Sequence, residues 1–204
     1  MQSTHKFLNV DNYQVISDEI YQYVVSHTQV LRLEYIFVDQ YIDHMLSCCP
    51  LLTEFLNNHK LVPKRMAVVV VAASNKIEMH RDTDGRFNPY IRILWPIKNC
   101  QGSKTRIWFV PKHDGTVVWY PNNTMYTRFS ADQKRLQIDE FELSQPLLFD
   151  ASYAHSVDPA PGSTEIRISF TMGFDRDLPI SKSIQAWSEL DYSFLQQGET
   201  HETR

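Results

Sequence analysis

The chain has 204 residues, of which 43% are hydrophobic and 22% charged, with a net charge of −4 and a pI near 6.0. This composition supports one packed domain and excludes disordered and collagen-like chains, since Gly and Pro number only 6 and 10. A mildly acidic chain without a basic block argues against a nucleic-acid partner.

The cysteines and the apolar runs indicate a soluble protein of a reducing compartment. The three cysteines, of which Cys48 and Cys49 are adjacent and Cys100 stands apart, do not form a disulfide framework. The longest apolar run, 66–73, is far shorter than the roughly 20 residues of a membrane-spanning helix. The first residues also lack the basic-then-apolar layout of a signal peptide. We therefore expect a cytoplasmic location and no membrane partner.

The first third of the chain is predicted to be helical. Ser17 is a candidate N-cap for a first helix, whose apolar positions recur every three or four residues. A second helical stretch covers roughly 38–58 and is interrupted by Pro50, which predicts a kink or two shorter helices. Cys48 and Cys49 lie in this stretch and are expected to be buried packing residues without redox chemistry.

After Pro63 the pattern changes to short strands separated by turn residues. Residues 66–73 form a continuous run rich in β-branched side chains, which is typical of a strand buried on both faces. Further strands are predicted at 77–80, 90–97, 105–110, 116–120, 140–143, 146–149 and 166–174. Many short strands with regular turn signals favour a sandwich or barrel over alternating β-α units.

The predicted architecture is a single domain over 1–204, mainly β with N-terminal helices. Residues 1–62 are expected to form a helical support, 63–176 the β-barrel core, and 177–204 a polar C-terminal extension. The polar segment 121–134 is a candidate lid over the mouth of the barrel.

His80 and Asp82 lie at the end of a predicted strand, two residues apart, so their side chains point to the same face. Such a pair suits an Fe(II), Mn(II) or Zn(II) ion, although His-x-Asp alone is a common chance pattern. His155 follows another predicted strand, at a turn where its ring could face inward. Two histidines and one carboxylate form the facial triad of non-haem Fe(II) oxygenases, which leaves three coordination positions open.

Arg167 lies in the predicted strand 166–174, and Ser169 follows it on the same face. An inward arginine in a β-barrel is costly unless a carboxylate neutralises its charge. A guanidinium beside a hydroxyl is suited to hold such a carboxylate. The whole ordering, His-x-Asp followed by the second histidine and then by this pair, is far more specific than any one part of it.

The order and spacing of these residues resemble the Fe(II)/2-oxoglutarate-dependent oxygenases, whose fold is a double-stranded β-helix of jelly-roll or cupin-like type. Residues 149–157 are similar to the segment around the second metal histidine in the aspartyl/asparaginyl β-hydroxylase branch, which includes free-proline hydroxylases. The resemblance covers about residues 50–174. It implies hydroxylation of a C–H bond in an amino acid, a peptidyl residue or a small metabolite, with Fe(II), 2-oxoglutarate and dioxygen.

The resemblance also implies a role for each candidate residue. The iron ligands would be His80, Asp82 and His155, and the residues that bind 2-oxoglutarate would be Arg167, Ser169 and Arg92. Arg92 occupies a strand where the branch has an Arg-x-His pair, but here the histidine is replaced by Leu94. Asp82 is a second departure because several members of the branch lack that carboxylate. Its presence favours a proline-hydroxylase-like or more general oxygenase pattern.

Two other functions stay open at this point. One is a non-catalytic barrel of the same fold that binds a small molecule or a metal. The other is a cupin-type metalloenzyme that does not use 2-oxoglutarate. The pair Arg167 and Ser169 argues against the cupin, which needs no inward arginine there, but it does not separate an enzyme from a binding module.

Overall fold

The computed structural model describes most of the chain as far as Phe174. The described residues are 4–27, 34–37, 41–73, 75–82, 91–110, 115–119, 125–130, 132, 134–151 and 153–174. The predicted polar extension, 177–204, lies outside them. Among the described helices, none is long and apolar enough to cross a membrane.

Within these ranges the chain forms three helices and twelve strands. The helices are α1 (Tyr13–His27), α2 (Ile42–Cys48) and α3 (Pro50–Asn58). The strands are β1 (His5–Phe7), β2 (Glu34–Phe37), β3 (Arg65–Val71), β4 (Ile77–Arg81), β5 (Ile91–Lys98), β6 (Lys104–Phe109), β7 (Thr116–Trp119), β8 (Met125–Arg128), β9 (Leu136–Glu142), β10 (Leu147–Asp150), β11 (Ala154–Asp158) and β12 (Arg167–Gly173).

The helices differ from the prediction at the start of α1. This helix begins at Tyr13, so Ser17 is not its N-cap but a buried residue inside it. The Ser17 hydroxyl donates to the carbonyl oxygen of Pro96 at 2.8 Å and accepts the indole N–H of Trp95 at 3.0 Å. It therefore attaches α1 to β5. Pro50 divides the second stretch as predicted, because the missing N–H of a proline is tolerated in the first turn of α3.

Every predicted strand is present with shifted ends, and the structure adds β1, β2, β8 and β11. The prediction that the whole first third is helical is wrong, because β2 lies between α1 and α2 and pairs with β3. Its pairing with β3, which is a tertiary contact, decides the conformation of this segment. The segment 121–134, predicted as a lid, contains β8, which pairs with both β4 and β7.

The strands form two antiparallel sheets of six strands each. The first sheet has the order β1-β10-β5-β12-β3-β2 and the second has the order β7-β8-β4-β11-β6-β9. The chain is therefore mainly β, as predicted. Among the described strands none pairs with both sheets, so the hydrogen-bonded ladder does not close into the predicted barrel.

Strand β12 of the first sheet is buried on both faces, and its two faces differ in chemistry. On β12, Ile168, Phe170 and Met172 belong to the main hydrophobic core, which also contains apolar residues of α1 and α3. Because side chains alternate along a strand, Arg167 and Ser169 lie on the opposite face, away from the helices. The burial of both faces explains why the strand lacks a simple alternation of buried and exposed residues.

A second hydrophobic cluster connects the two sheets. It contains Ile107 of β6 and Phe141 of β9 from the second sheet, together with Leu147 and Phe149 of β10 from the first. The Phe149 ring also packs edge-on against the His155 ring, with the ring centroids 4.9 Å apart. The polar face of β12 and the inner face of the second sheet therefore border the same space between the two sheets.

Candidate metal centre

His80 and His155 are paired on neighbouring strands of the second sheet. His80 lies on β4, His155 lies on β11, and the two are direct partners in the antiparallel register. Residues paired in this way point to the same face, and the ring centroids are 4.3 Å apart. Both side chains are buried. His155 is thus a strand residue, which corrects the prediction that it lies in a turn.

Asp82 follows the last residue of β4 and brings a carboxylate to the two rings. Its Oδ1 lies 3.4 Å from Nε2 of His80, and its Oδ2 lies 3.8 Å from Nε2 of His155. One ligand atom from each of the three residues lies within 4.8 Å of the others. Two imidazole nitrogens and one carboxylate oxygen at this separation can contact a single divalent ion.

The two histidine rings are oriented by backbone hydrogen bonds. Nδ1 of His80 donates to the carbonyl oxygen of Glu78 at 2.8 Å, and Nδ1 of His155 donates to that of Tyr153 at 3.0 Å. A hydrogen bond of this kind assigns the proton to Nδ1 and leaves Nε2 free to bind a metal. Both Nε2 atoms are the ones directed toward Asp82.

The charges of the centre also suit a cation. Burial opposes ionisation of Asp82, but the neighbouring Arg92 and His80 hold the pKa of its carboxyl well below the usual range. Burial and the adjacent His80 lower the pKa of His155 to about 4, so this ring is neutral at pH 7. Burial alone would lower the pKa of His80, but its hydrogen bond to Asp82 raises it above the ordinary value. A divalent ion would compete with protonation of Nε2 of His80.

Arg92 reaches this centre from β5 of the first sheet. Its Nη1 lies 3.1 Å from Oδ2 of Asp82, and both side chains are largely buried. Its Nε is buried and has no hydrogen-bond partner among the described residues. The contact that the structure shows for Arg92 is therefore with the Asp82 carboxylate, and its predicted role in holding 2-oxoglutarate stays a prediction.

Arg167 and Ser169 are buried together on the inner face of β12. Nη1 of Arg167 donates to Oγ of Ser169 at 3.3 Å, and no carboxylate of the described residues pairs with the guanidinium. Nε of Arg167 and Oγ1 of Thr171 are buried without hydrogen-bond partners within the same described set. A buried cation with unused donors is costly, and an anionic ligand would satisfy it.

Two further residues, one on the inner face of β12 and one beside His80, have no assigned role in the sequence prediction. Thr171 continues the alternation that begins at Arg167, and this alternation could have revealed it. Tyr126 lies on β8, with its ring edge-on to His80 at a centroid distance of 5.8 Å. It belongs to the segment 121–134 that was predicted as a lid, but its position against His80 depends on the register of β8 on β4, which is a property of the fold.

No protein-family model matches this sequence, and no curated protein sequence matches it. Solved structures do match. A prolyl hydroxylase from Trichoplax adhaerens, in complex with a hypoxia inducible factor oxygen degradation domain peptide fragment, is 14% identical over 85% of this chain and 84% of its own, with a TM-score of 0.44. A Pseudomonas putida prolyl-4-hydroxylase is 14% identical over 84% and 91% of the two chains, also with a TM-score of 0.44.

A third similar structure is the epimerase SnoN in complex with Fe3+, alpha ketoglutarate and nogalamycin RO. It is 14% identical over 82% of this chain and 76% of its own, with a TM-score of 0.46. The likeness is distant, so the functional interpretation rests on the residues of the centre.

Proposed function

We propose that this chain is an Fe(II)- and 2-oxoglutarate-dependent dioxygenase that hydroxylates a C–H bond of an amino acid, a peptidyl residue or a small metabolite. The observation that carries the proposal is a buried His80, Asp82 and His155 cluster on one sheet, together with a buried Arg167 on the other. The proposal includes a double-stranded β-helix core over 63–176 in a single cytoplasmic domain, and two antiparallel sheets are in keeping with that core.

The residues of the centre fit an iron ion. His80 and His155 would bind it through Nε2 because their Nδ1 atoms are occupied by backbone carbonyls. Asp82 would supply the third ligand, and the remaining positions would stay open for cosubstrate and dioxygen. When bound, iron and 2-oxoglutarate use dioxygen to convert a C–H bond to C–OH, with release of succinate and CO2.

The chain's own residues bind and orient around that chemistry. Arg92 keeps Asp82 ionised and in place through its contact at 3.1 Å. Arg167, with Ser169 beside it, would hold the distal carboxylate of 2-oxoglutarate, because its guanidinium is buried and its Nε is unused. Phe149 packs edge-on against the buried His155 ring.

An anaerobic titration of the purified chain with Fe(II) and then 2-oxoglutarate tests the proposal without knowledge of the substrate. Chelation of iron by the keto acid gives a weak charge-transfer band in the visible. We expect the band in the native chain, its loss in His80→Ala and His155→Ala, and its retention in the matched control His59→Ala at the end of α3.

Each other outcome assigns the chain to a different class. Iron binding without the band would contradict the use of 2-oxoglutarate and favour the cupin-type metalloenzyme. Absence of iron binding would favour a barrel without this chemistry. If the band appears, succinate release on exposure to oxygen separates an enzyme from a module that only binds the cosubstrate.

A further inference from the structure

A second group of metal-ligating side chains lies on the helices, separate from the centre on the sheets. His27 is the last residue of α1, and His44 and Cys48 lie on α2. Because His44 and Cys48 are four residues apart in a helix, they project from the same face. One ligand atom from each of the three residues lies within 4.8 Å of the others, and all three residues are exposed to solvent.

Both histidines of this group contact Tyr23 through Nδ1. Nδ1 of His27 donates to the carbonyl oxygen of Tyr23 at 3.0 Å, and Nδ1 of His44 lies 3.0 Å from the Tyr23 hydroxyl. Both Nε2 atoms are thereby left for another partner. Nε2 of His44 lies 3.9 Å from Sγ of Cys48. Histidines that bind metals are typically held in this way through the other ring nitrogen.

Tyr23 holds the two imidazole rings before any ion arrives. Its side chain is buried, and its ring stacks on His27 with a centroid distance of 4.5 Å and an interplanar angle of 23°. The His27 and His44 rings are 5.2 Å apart and nearly perpendicular. Little conformational entropy would be lost when these rings bind an ion, since packing already restricts them.

The donor set selects the kind of ion. An imidazole nitrogen is a borderline ligand and a thiolate is a soft one, and Zn(II) binds both. Zinc sites are tetrahedral, so a fourth position would remain for water or another ligand. We propose that His27, His44 and Cys48 form a zinc site that joins the end of α1 to α2. This site does not depend on the proposed oxygenase function, because it shares no residue with the centre on the sheets.

Cobalt(II) titration of the full chain tests the site, since Co(II) replaces Zn(II) and reports its ligands in the visible and near-ultraviolet. A thiolate-to-cobalt charge-transfer band is specific for cysteine, so His80, Asp82 and His155 cannot produce it. We expect a band that rises to a plateau as Co(II) is added and is displaced by Zn(II). Cys48→Ser should abolish the band, whereas Cys100→Ser, which changes a buried thiol, should keep it.

Alkylation of the thiols provides an independent measurement. Cys48 is the exposed cysteine, while Cys49 and Cys100 are buried, so the modified position can be identified by mass spectrometry. Zn(II) should slow alkylation of Cys48 in the native chain and in His59→Asn, but not in His44→Asn. Tyr23→Phe, which removes the hydrogen bond to His44, should weaken cobalt binding about tenfold.

Three results would overturn the proposal: no thiolate band in the native chain, a band that persists in Cys48→Ser, or zinc protection that persists in His44→Asn. Zinc binding without a thiolate band would assign the ion to the centre on the sheets instead. Because Cys48 is exposed, Cys48→Ser should fold normally, and an unchanged melting temperature of the metal-free variant checks this.

Discussion

Asp82 has two partners with different roles, the histidines that would share a metal with it and the Arg92 guanidinium on the facing sheet. Asp82→Asn removes the charge and leaves Arg92 largely buried without its carboxylate. We expect a loss of about 3 kcal/mol in the free energy of unfolding of the metal-free chain, together with loss of iron binding. Denaturant unfolding and iron titration measure the two effects.

The double variant Asp82→Asn with Arg92→Leu separates these roles. Removing both charges avoids a buried unpaired guanidinium, so most of the lost stability should return while iron binding stays absent. Recovery of iron binding in the double variant would show that Asp82 is not a ligand.

Arg167 is the residue on which the cosubstrate assignment depends. Arg167→Ala should raise the 2-oxoglutarate concentration needed for half-maximal formation of the charge-transfer band by roughly 10- to 100-fold, the worth of one or two hydrogen bonds to a charged group. Iron affinity should stay the same. Arg106→Ala removes an arginine that is paired with Glu140 on β9, and it is the matched control. An unchanged 2-oxoglutarate requirement in Arg167→Ala would remove the assignment.

One hydroxyl group adds hydrogen bonds to the apolar contacts between α1 and β5. Ser17 bridges the indole N–H of Trp95 and the carbonyl oxygen of Pro96, and Ser17 and Trp95 are buried. Ser17→Ala leaves both partners without their bond, so we expect a loss of about 1–3 kcal/mol in urea unfolding. Ser26→Ala lies on the same helix and removes only an exposed bond to Gln22, so it should change the free energy of unfolding by less than about 0.5 kcal/mol.

The local sequence pattern predicts a helix or strand correctly when the conformation of that segment depends mainly on its own residues. Pro50 divides α2 from α3 because a proline restricts its own backbone, and β3 is recognisable because its residues are apolar on both faces. β2 and β8 were missed because their conformation depends on partner strands that are distant in the chain. Their residues alone do not distinguish them from the helix and the loop that were predicted.

Side-chain hydrogen bonds connect the edges of the two sheets, at strands β1 and β9 that have no backbone pairing with each other. Asp139 of β9 accepts hydrogen bonds from Oγ1 of Thr4 at 2.5 Å and from Nδ1 of His5 at 3.0 Å. Burial alone would raise the pKa of Asp139, but the bonds from His5 and Thr4 lower it below the ordinary value. A carboxyl whose pKa is lowered by folding stabilises the fold above its unfolded pKa of about 3.9, and this contribution disappears as the pH falls through the folded pKa.

Asp139→Asn should therefore be less stable than the native chain near pH 6, and the difference should shrink as the pH falls below about 4. Urea unfolding at several pH values measures the difference directly. Asp18→Asn changes an exposed carboxyl on α1 and should leave the pH profile unaltered. A difference between native chain and Asp139→Asn that does not depend on pH would mean that ionisation of Asp139 does not stabilise the edge contact.

Two residue pairs of the candidate site could be predicted from the sequence because each pair is a short-range pattern. His80 and Asp82 share a face through the two-residue period of a strand, and Arg167 and Ser169 do so for the same reason. These patterns do not contain the pairing of His155 with His80, which needs the register of β11 on β4. The contact between Arg92 and Asp82 likewise joins residues from different sheets.

The amino-acid order alone specifies the mainly β character, the break at Pro50 and two local pairs of the candidate site, His80 with Asp82 and Arg167 with Ser169, because backbone preference and side-chain periodicity are local. The tertiary structure alone decides that two sheets face each other without a common strand and that Asp82 is neutralised by Arg92. It also brings His27 and Cys48 together from separate helices. Such contacts join positions far apart in the chain, and only the packing of whole elements determines which of them meet.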